Sequence, residues 1–506
     1  MIDRSAHKRQ SVDWKLVIAY LLLVIIGWVN IYAATHTGDS GSIFDFGYRA
    51  GKQFVWILTA LGLAGVILFV LPARLWEGIC IPLYALVLLL LVVVIFVSSD
   101  IKGSHSWFSL GPVSFQPAEI SKISTSLLLA FLLSQQGFKL SRWKDFLLAC
   151  AVIGVPMLVI VGESETGSAL VYTGFIFVLY REGLSGWWLG LIGLIILLFI
   201  CTLTLGTYWA LVILLAVLIG CDAYMHPSRF GRQLGIGAGV ILVLALLPSV
   251  LGWISSLVEA RTAYLNARIW VPQAGERLRS GWSFLLGVRP LGVLLVLAGL
   301  AVPFLLWRAW WKKDRFLGVS VGAFVVGLLL VFSTDYIFHN VLQDHQRVRI
   351  EVLLGMREDL AGAGYNVNQS KIAIGSGGFA GKGFLQGTQT TYGFVPEQST
   401  DFIFCTVGEE WGFLGCLVVI ALYVFIIARL ILDAERCRGH FTRIYGYCVA
   451  SCIFMHLFIN IGMTIGLMPV IGIPLPLLSY GGSSLWAFTI LIFIFLALYR
   501  DEKKYF

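Results

Sequence analysis

Residues 78–98 read GICIPLYALVLLLLVVVIFVS, without one formal charge. A helix needs about 20 such residues to cross the hydrocarbon core of a bilayer. The residues are continuously apolar and lack the period-two alternation of a lipid-facing β-barrel strand. Backbone N–H and C=O groups find no partner in hydrocarbon, so a segment of this kind spans as a helix. Outward from it the pattern recurs. Candidate spans lie near 16–35, 53–71, 78–98, 117–135, 145–162, 167–181, 186–205, 208–225, 233–257, 290–307, 316–335, 403–429, 444–466 and 484–499, fourteen in all. The expectation is an all-α polytopic membrane protein.

The composition of the 506 residues agrees. Hydrophobic residues make up 58%, against about 45–50% in a soluble globular protein. Charged residues are 13%, roughly half the usual share of ~25%, and mean hydropathy is +0.87. A water-soluble fold of this size cannot hide that much apolar surface. This excludes a soluble enzyme, a disordered chain and a nucleic-acid binder, although the net charge is +8. The basic residues instead sit in short loops, where they orient helices. Arg4, Lys8, Arg9 and Lys15 place the N-terminus in the cytoplasm. Counting crossings puts Lys139/Arg142/Lys144, Arg229/Arg232, Arg308/Lys312/Lys313/Arg315, Arg436/Arg438/Arg443 and the C-terminal Arg500 on the same side. Both termini are therefore expected inside. Only 258–289, placed outside with five arginines, runs against the rule. The first span is too long for the apolar core of a signal peptide. None of the nine cysteines forms a CxxC pair, and they read as small packing residues.

The densest polar chemistry lies in 336–402, an external loop with six glycines between Gly375 and Gly387. Gly375-Ser376-Gly377-Gly378 matches a relaxed dinucleotide fingerprint and Gly381-Lys382 part of a phosphate loop. Neither has a βαβ context, and Gly383 follows Lys382 where a phosphate loop has Ser or Thr. Backbone N–H groups there, with Lys371 and Lys382, still suit a phosphate. Glu119 and Lys122 lie at i and i+3 on the fourth span. Charges inside a membrane pair and face a bundle interior or an aqueous cavity, so they are either a structural ion pair or the wall of a polar cavity. Glu163 and Glu165 precede Thr166 and read as carboxylates at a helix start, favoured by the helix dipole. Asp401 sits where the external loop enters a span. It is either a desolvated general base or a helix cap shared with Thr400. Residues 460–484 are poor in charge and rich in Gly and Pro. At membrane depth such backbone must be buried in protein or line a cavity.

Taken together, Lys102-Gly103 to Trp107, FQPAEISK (115–122), ETGSALV (165–171), GAGYNVNQSKIAIGSGGFAGKGFLQGTQ (362–389), FVPEQSTDFIF (394–404), GEEWGFLG (408–415) and NIGMTIGLMPVIGIPLPLLSYGGSS (460–484) resemble the SEDS family (shape, elongation, division and sporulation), and its RodA branch in particular. The resemblance spans nearly the whole chain. It implies a ten-helix core carrying an insertion. On that reading 1–205 and 403–506 are the two parts of the core, 206–335 are inserted membrane helices, four by count, and 336–402 is the large extracytoplasmic loop with the catalytic aspartate. The implied activity is a peptidoglycan glycosyltransferase that polymerises lipid II at the outer face of the bacterial inner membrane during cell elongation. The implied partners are a class B penicillin-binding protein and other membrane proteins of the elongation complex.

The family's essential aspartate matches Asp401, and its helix-four pair matches Glu119 and Lys122. Lys371, Lys382, Arg347, Arg349, Gln389, Ser479 and Tyr480 become candidates for binding substrate. A divalent cation, Mg or Mn, on the pyrophosphate is compatible with the reaction, though no ligand cluster in the sequence demands one. The chain departs from the family at Ser164-Glu165-Thr166, at Ser106 before Trp107 and at Ala118 before Glu119. A flippase or transporter without chemistry is the rival class, but it needs a polar path through the bilayer, whereas the polar residues here gather on one face. A scaffold that only recruits wall enzymes would not need Asp401.

Overall fold

The computed structural model describes residues 12–36, 42–98, 106–110, 113–226, 230–268, 289–313, 315–342, 344–357 and 364–502. Among the described residues the fold is all-helical apart from one two-stranded hairpin, Phe108–Leu110 against Val113–Phe115. Twelve helices among the described residues are long and apolar enough to cross a membrane, and the protein is a multi-pass membrane protein. Helices pack into two compact units. One comprises Met1–Gly186 with Glu358–Phe506, the other Trp187–Arg357.

The first unit begins with α1 (Trp14–Thr35), α2 (Arg49–Phe69), α3 (Arg74–Val97), α4 (Pro117–Ser134) and α5 (Trp143–Gly162). α3 buries only Trp76, Cys80, Val87, Leu91 and Val94. That spacing marks one stripe of a helix, so the rest of its apolar surface is left for lipid. α4 is different. Pro117 fits its first turn, where the missing N–H is not needed. Glu119, Ser121, Lys122, Ser124, Thr125 and Ser126 are all buried. Ser126 returns its hydroxyl to the Lys122 carbonyl at 2.6 Å, a local bond that satisfies a polar group inside a helix.

The expected span 167–181 is broken. α6 (Thr166–Val171) and α7 (Phe175–Arg181) flank a 3-10 turn at Tyr172–Gly174. A Cβ on Gly174 would stand 2.3 Å from Met455 Cγ, so the break lets this backbone approach its neighbour. The unit resumes with α14 (Tyr365–Ser376), the single turn α15 (Thr388–Thr391), α16 (Ile403–Arg436), α17 (His440–Thr464) and α18 (Gly482–Glu502). α17 and α18 bury most of their side chains. α17 packs on α4 and α16, α18 on α2, and α1 on α16.

The second unit holds α8 (Trp187–Leu205), α9 (Thr207–Met225), α10 (Phe230–Arg268), α11 (Pro290–Lys312), α12 (Arg315–Asn340) and α13 (Asp344–Leu353). Leu198, Leu211, Leu214 and Val331 form its core. α10 is longer than the span expected at 233–257. α12 runs five residues into the segment expected to be external loop, and α13 and α14 are helices where loop was expected.

Candidate active site

The site is built on a break in α16. Gly412 has φ 63° and ψ −157°, outside helical space. Opening a helix frees carbonyls and N–H groups that must find other partners. The glycine-rich stretch supplies them. Lys382 N–H donates to Glu409 O and Gly383 N–H to Glu410 O, both at 3.0 Å, and Phe413 N–H donates to Gly378 O at 2.9 Å. Gly381 has φ +83°, and a Cβ on it would lie 2.1 Å from Glu410 O. The glycines thus allow backbone to lie against backbone. The N–H groups of Lys382 and Gly383 are spent on this contact, not held open for a phosphate.

Glu409 fixes the same loop through its side chain. Buried Oε1 accepts from Lys382 Nζ at 2.7 Å and from Gln389 N–H at 2.9 Å, and Oε2 accepts from Thr390 N–H at 2.9 Å. The carboxylate therefore sits on the first N–H groups of α15, where negative charge is favoured.

Asp401 is held by its own backbone. Three successive carbonyls are engaged in turn. Ser399 O accepts from Tyr480 N–H at 2.9 Å, Thr400 O from Ser479 Oγ at 2.6 Å and Asp401 O from Asn460 Nδ2 at 2.8 Å. The cap position of α16 is Phe402, not Thr400 or Asp401. Asp401 is half-buried, and a Cβ on Gly472 would meet its Oδ2 at 3.4 Å. The aspartate and the Gly-Pro segment therefore form one surface. That segment is itself pinned by its carbonyls. Asn460 Nδ2 donates to Ile473 O at 2.7 Å, His456 Nδ1 to Pro474 O at 3.1 Å, and the Tyr423 hydroxyl to Pro476 O.

Glu119 and Lys122 form a buried ion pair, Nζ to Oε1 2.8 Å. Lys122 Nζ also lies 2.8 Å from His456 Nε2 and 5.2 Å from the centre of the Phe488 ring. The Pro474 carbonyl can only accept, so His456 Nδ1 carries the proton and Nε2 accepts from Lys122. The lysine thus has a carboxylate, an imidazole and an aromatic face for its three N–H bonds. His456 and Asn460 are one turn apart on α17. They join the ion pair on α4 to the Gly-Pro segment and to Asp401.

The other sequence candidates fall in several places. Ser479 Oγ donates to Thr400 O and accepts from Leu475 N–H at 2.8 Å. Tyr480 lies under the Arg49 guanidinium, 5.7 Å from its ring centre, and Arg49 Nη1 donates to Ser399 Oγ at 2.5 Å. Lys371 is exposed and packs over Gly466. Gln389 flanks Glu409. Arg347 belongs to the second unit and donates to Phe338 O and His339 O at the end of α12. Arg349 is in α13 and its side chain lies outside the described residues.

Glu163 and Glu165 do not share a helix start. Glu163 caps the C-terminal end of α5, where the dipole opposes a negative charge. Burial, reinforced by Glu165, pushes its carboxyl up to about 8. Glu165 is at the start of α6, but its side chain accepts from Ser106 Oγ at 2.7 Å. Sequence reading missed Arg49 and His456. Neither stands in a motif, and only the packing of α2 and α17 brings them to the site. Among the described residues no three His, Cys, Asp or Glu side chains gather at metal-ligand spacing, so these residues form no protein cage for a divalent cation.

The family model for the FtsW, RodA and SpoVE cell cycle proteins matches residues 13–217 and 284–504. The chain is 30% identical over 421 residues to the peptidoglycan glycosyltransferase MrdB of Escherichia coli K12, covering 83% of this chain and 77% of that protein. It is 29% identical over 482 residues to the peptidoglycan glycosyltransferase RodA of Treponema pallidum, covering 94% of each. Its fold is similar to a chain of a peptidoglycan synthase complex, with TM-score 0.56, 23% identity, and 97% of this chain and 98% of that one covered. It is also similar to the rod shape-determining protein RodA of Thermus thermophilus, with TM-score 0.52, 22% identity and the same coverage. A model matching this much of the chain settles its family: the chain belongs to the FtsW, RodA and SpoVE family of cell cycle proteins.

Proposed function

We propose that the chain is a peptidoglycan glycosyltransferase that polymerises lipid II at the outer face of the inner membrane, with Asp401 as general base. Membership of the family and relatives named as peptidoglycan glycosyltransferases support the reaction class. The observation that carries the assignment of Asp401 is its setting. Three consecutive carbonyls anchor residues 399–401 to α17 and to 479–480, and this fixes the carboxylate beside Gly472 without using it as the cap of α16.

The reaction joins the 4-hydroxyl of a GlcNAc to the anomeric carbon of a MurNAc carried on a lipid pyrophosphate. Asp401 takes the hydroxyl proton, the new C–O bond forms, and the pyrophosphate leaves with the bonding pair. Positive charge near that pyrophosphate stabilises the transition state. Lys371, exposed over Gly466, and Arg49, beside Ser399 and Tyr480, are the cations assigned to it. Lys382 is committed to Glu409 and holds the loop. Glu119, Lys122, His456 and Asn460 position the segment against which Asp401 lies. A class B penicillin-binding protein crosslinks the product strands, and the rod-shape relatives support a role in elongation.

The test is lipid II polymerisation by purified Asp401→Asn beside wild type, each with its partner. General base catalysis contributes about 10²–10⁴-fold. The expected result is a loss of that order with normal insertion and partner binding, because Asn keeps the shape and loses the basicity. A near wild-type rate would remove the catalytic assignment. A flippase or scaffold would keep its function with this substitution.

A further inference from the structure

The second unit holds a cavity that the glycan chemistry does not use. It measures about 610 Å³ and lies among α9, α10, α11 and α12. Its wall is aliphatic and aromatic, from residues such as Leu215, Val240, Leu294, Ala298, Ala301 and Phe324. Asp222 and Gln233 make it polar at one end. Gln233 Nε2 donates to Asp222 Oδ2 at 2.8 Å, and His226 Nδ1 stands 3.4 Å from Asp222 Oδ1. Gln233 Oε1 is buried with no hydrogen-bond partner among the described residues. Buried acceptors in native proteins are normally satisfied, so this one points to a donor from a bound molecule.

The same end carries positive charge. The His226 and Phe316 rings meet at 5.5 Å, which sets the end of α9 beside the start of α12. α11 ends there with Arg308 in its last turns, Lys312 as its last residue and Lys313 as its cap, and Arg232 precedes Gln233. All four cations are exposed. The cavity falls within the range of about 300–1,000 Å³ typical of small-ligand sites. A transmembrane helix is about 10 Å across and ~30 Å long, and displaces several times this volume. An undecaprenyl chain is several times longer than an acyl chain and exceeds it as well. Basic pockets between membrane helices select anionic headgroups. Asp222 and Gln233 at the polar end, with Val240, lie in 218–283, which the family model leaves unmatched, whereas the walls given by α11 and α12 lie within the match.

We propose that the cavity binds an anionic glycerophospholipid of the phosphatidylglycerol kind. One acyl chain fills the apolar wall, and the phosphate lies in the collar of Arg232, Arg308, Lys312 and Lys313. The headgroup hydroxyls donate to Gln233 Oε1 and Asp222.

The full chain is extracted in mild detergent and titrated with phosphatidylglycerol or phosphatidylcholine of identical acyl chains, with bound lipid read by native mass spectrometry. Wild type is expected to retain one phosphatidylglycerol and to prefer it over phosphatidylcholine by at least about tenfold, the scale that several cations near a phosphate supply. Ala298→Phe fills the cavity and should lose that tight copy whichever headgroup is offered. Arg308→Gln with Lys312→Gln and Lys313→Gln changes only exposed side chains, so folding is spared. It should still hold a lipid but lose the preference. Equal binding of the two lipids by wild type overturns the proposal. So does unchanged retention in Ala298→Phe with a native circular dichroism spectrum, or a polyprenyl phosphate or a protein as the retained species.

Discussion

Lys122 on α4 and His456 on α17 stand 2.8 Å apart, Nζ to Nε2, and the other nitrogen of the same imidazole holds the Pro474 carbonyl. The histidine is thus the joint between a buried ion pair and the segment beside Asp401. His456→Leu removes that joint and leaves the ammonium with one fewer acceptor. His456→Gln keeps an acceptor and a donor on a more flexible arm of similar reach. The Leu variant should lose polymerisation mainly through the turnover rate rather than the apparent substrate affinity, with the Gln variant recovering part of it. Wild-type turnover in His456→Leu would show that the segment holds its shape without this bond.

Removing one member of a buried pair typically costs ~3–5 kcal/mol, because the other charge stays buried. Lys122→Ala should therefore express poorly and melt early. Glu119→Gln combined with Lys122→Met removes both charges at similar volume, and should be recovered from membranes in clearly higher yield. Equal yields would mean that water reaches the pair.

The raised Glu163 carboxyl makes stability depend on pH. Its folded value, about 8, lies above the ordinary 4.5. The folded state therefore binds more protons between those limits, and stability falls as pH rises through the window. Glu163→Gln should flatten the decline in melting temperature between pH 5 and pH 8, values set by that shift. An unchanged slope in the variant would assign the decline to other groups.

At Gly381 a side chain faces both a left-handed φ and the Glu410 carbonyl. Gly381→Ala should destabilise by about 1–3 kcal/mol, the usual cost of such strain. Because the stretch is bonded to the break at Gly412, loop 378–391 should become the first site of limited proteolysis in this variant. Wild-type resistance to protease would contradict that.

Much was legible in the sequence because membrane helices are dictated locally. Hydrocarbon offers no partner to a backbone N–H, so twenty apolar residues fix a helix wherever they stand. The same local rule marked Glu119 and Lys122, whose charge is conspicuous on an apolar span, and Asp401 at the mouth of another. Other features depended on what distant elements bring. The span expected at 167–181 is interrupted by the turn at Tyr172–Gly174, where Met455, on α17, leaves no room for a side chain at Gly174. The glycines near 381 read as a phosphate cradle until the broken helix at Gly412 is seen to consume their N–H groups. Ser479, a substrate candidate by motif, has its hydroxyl on the Thr400 and Leu475 backbone. Arg49 and His456 carry no local signal, since one basic residue at a helix start and one histidine in an apolar run each have ordinary explanations. The sequence determined which segments lie in the membrane and which residues bear charge. Only the tertiary structure decided which of those charges meet, because a hydrogen bond needs two atoms within about 3 Å, and Lys122 on α4 stands 334 positions before His456 on α17.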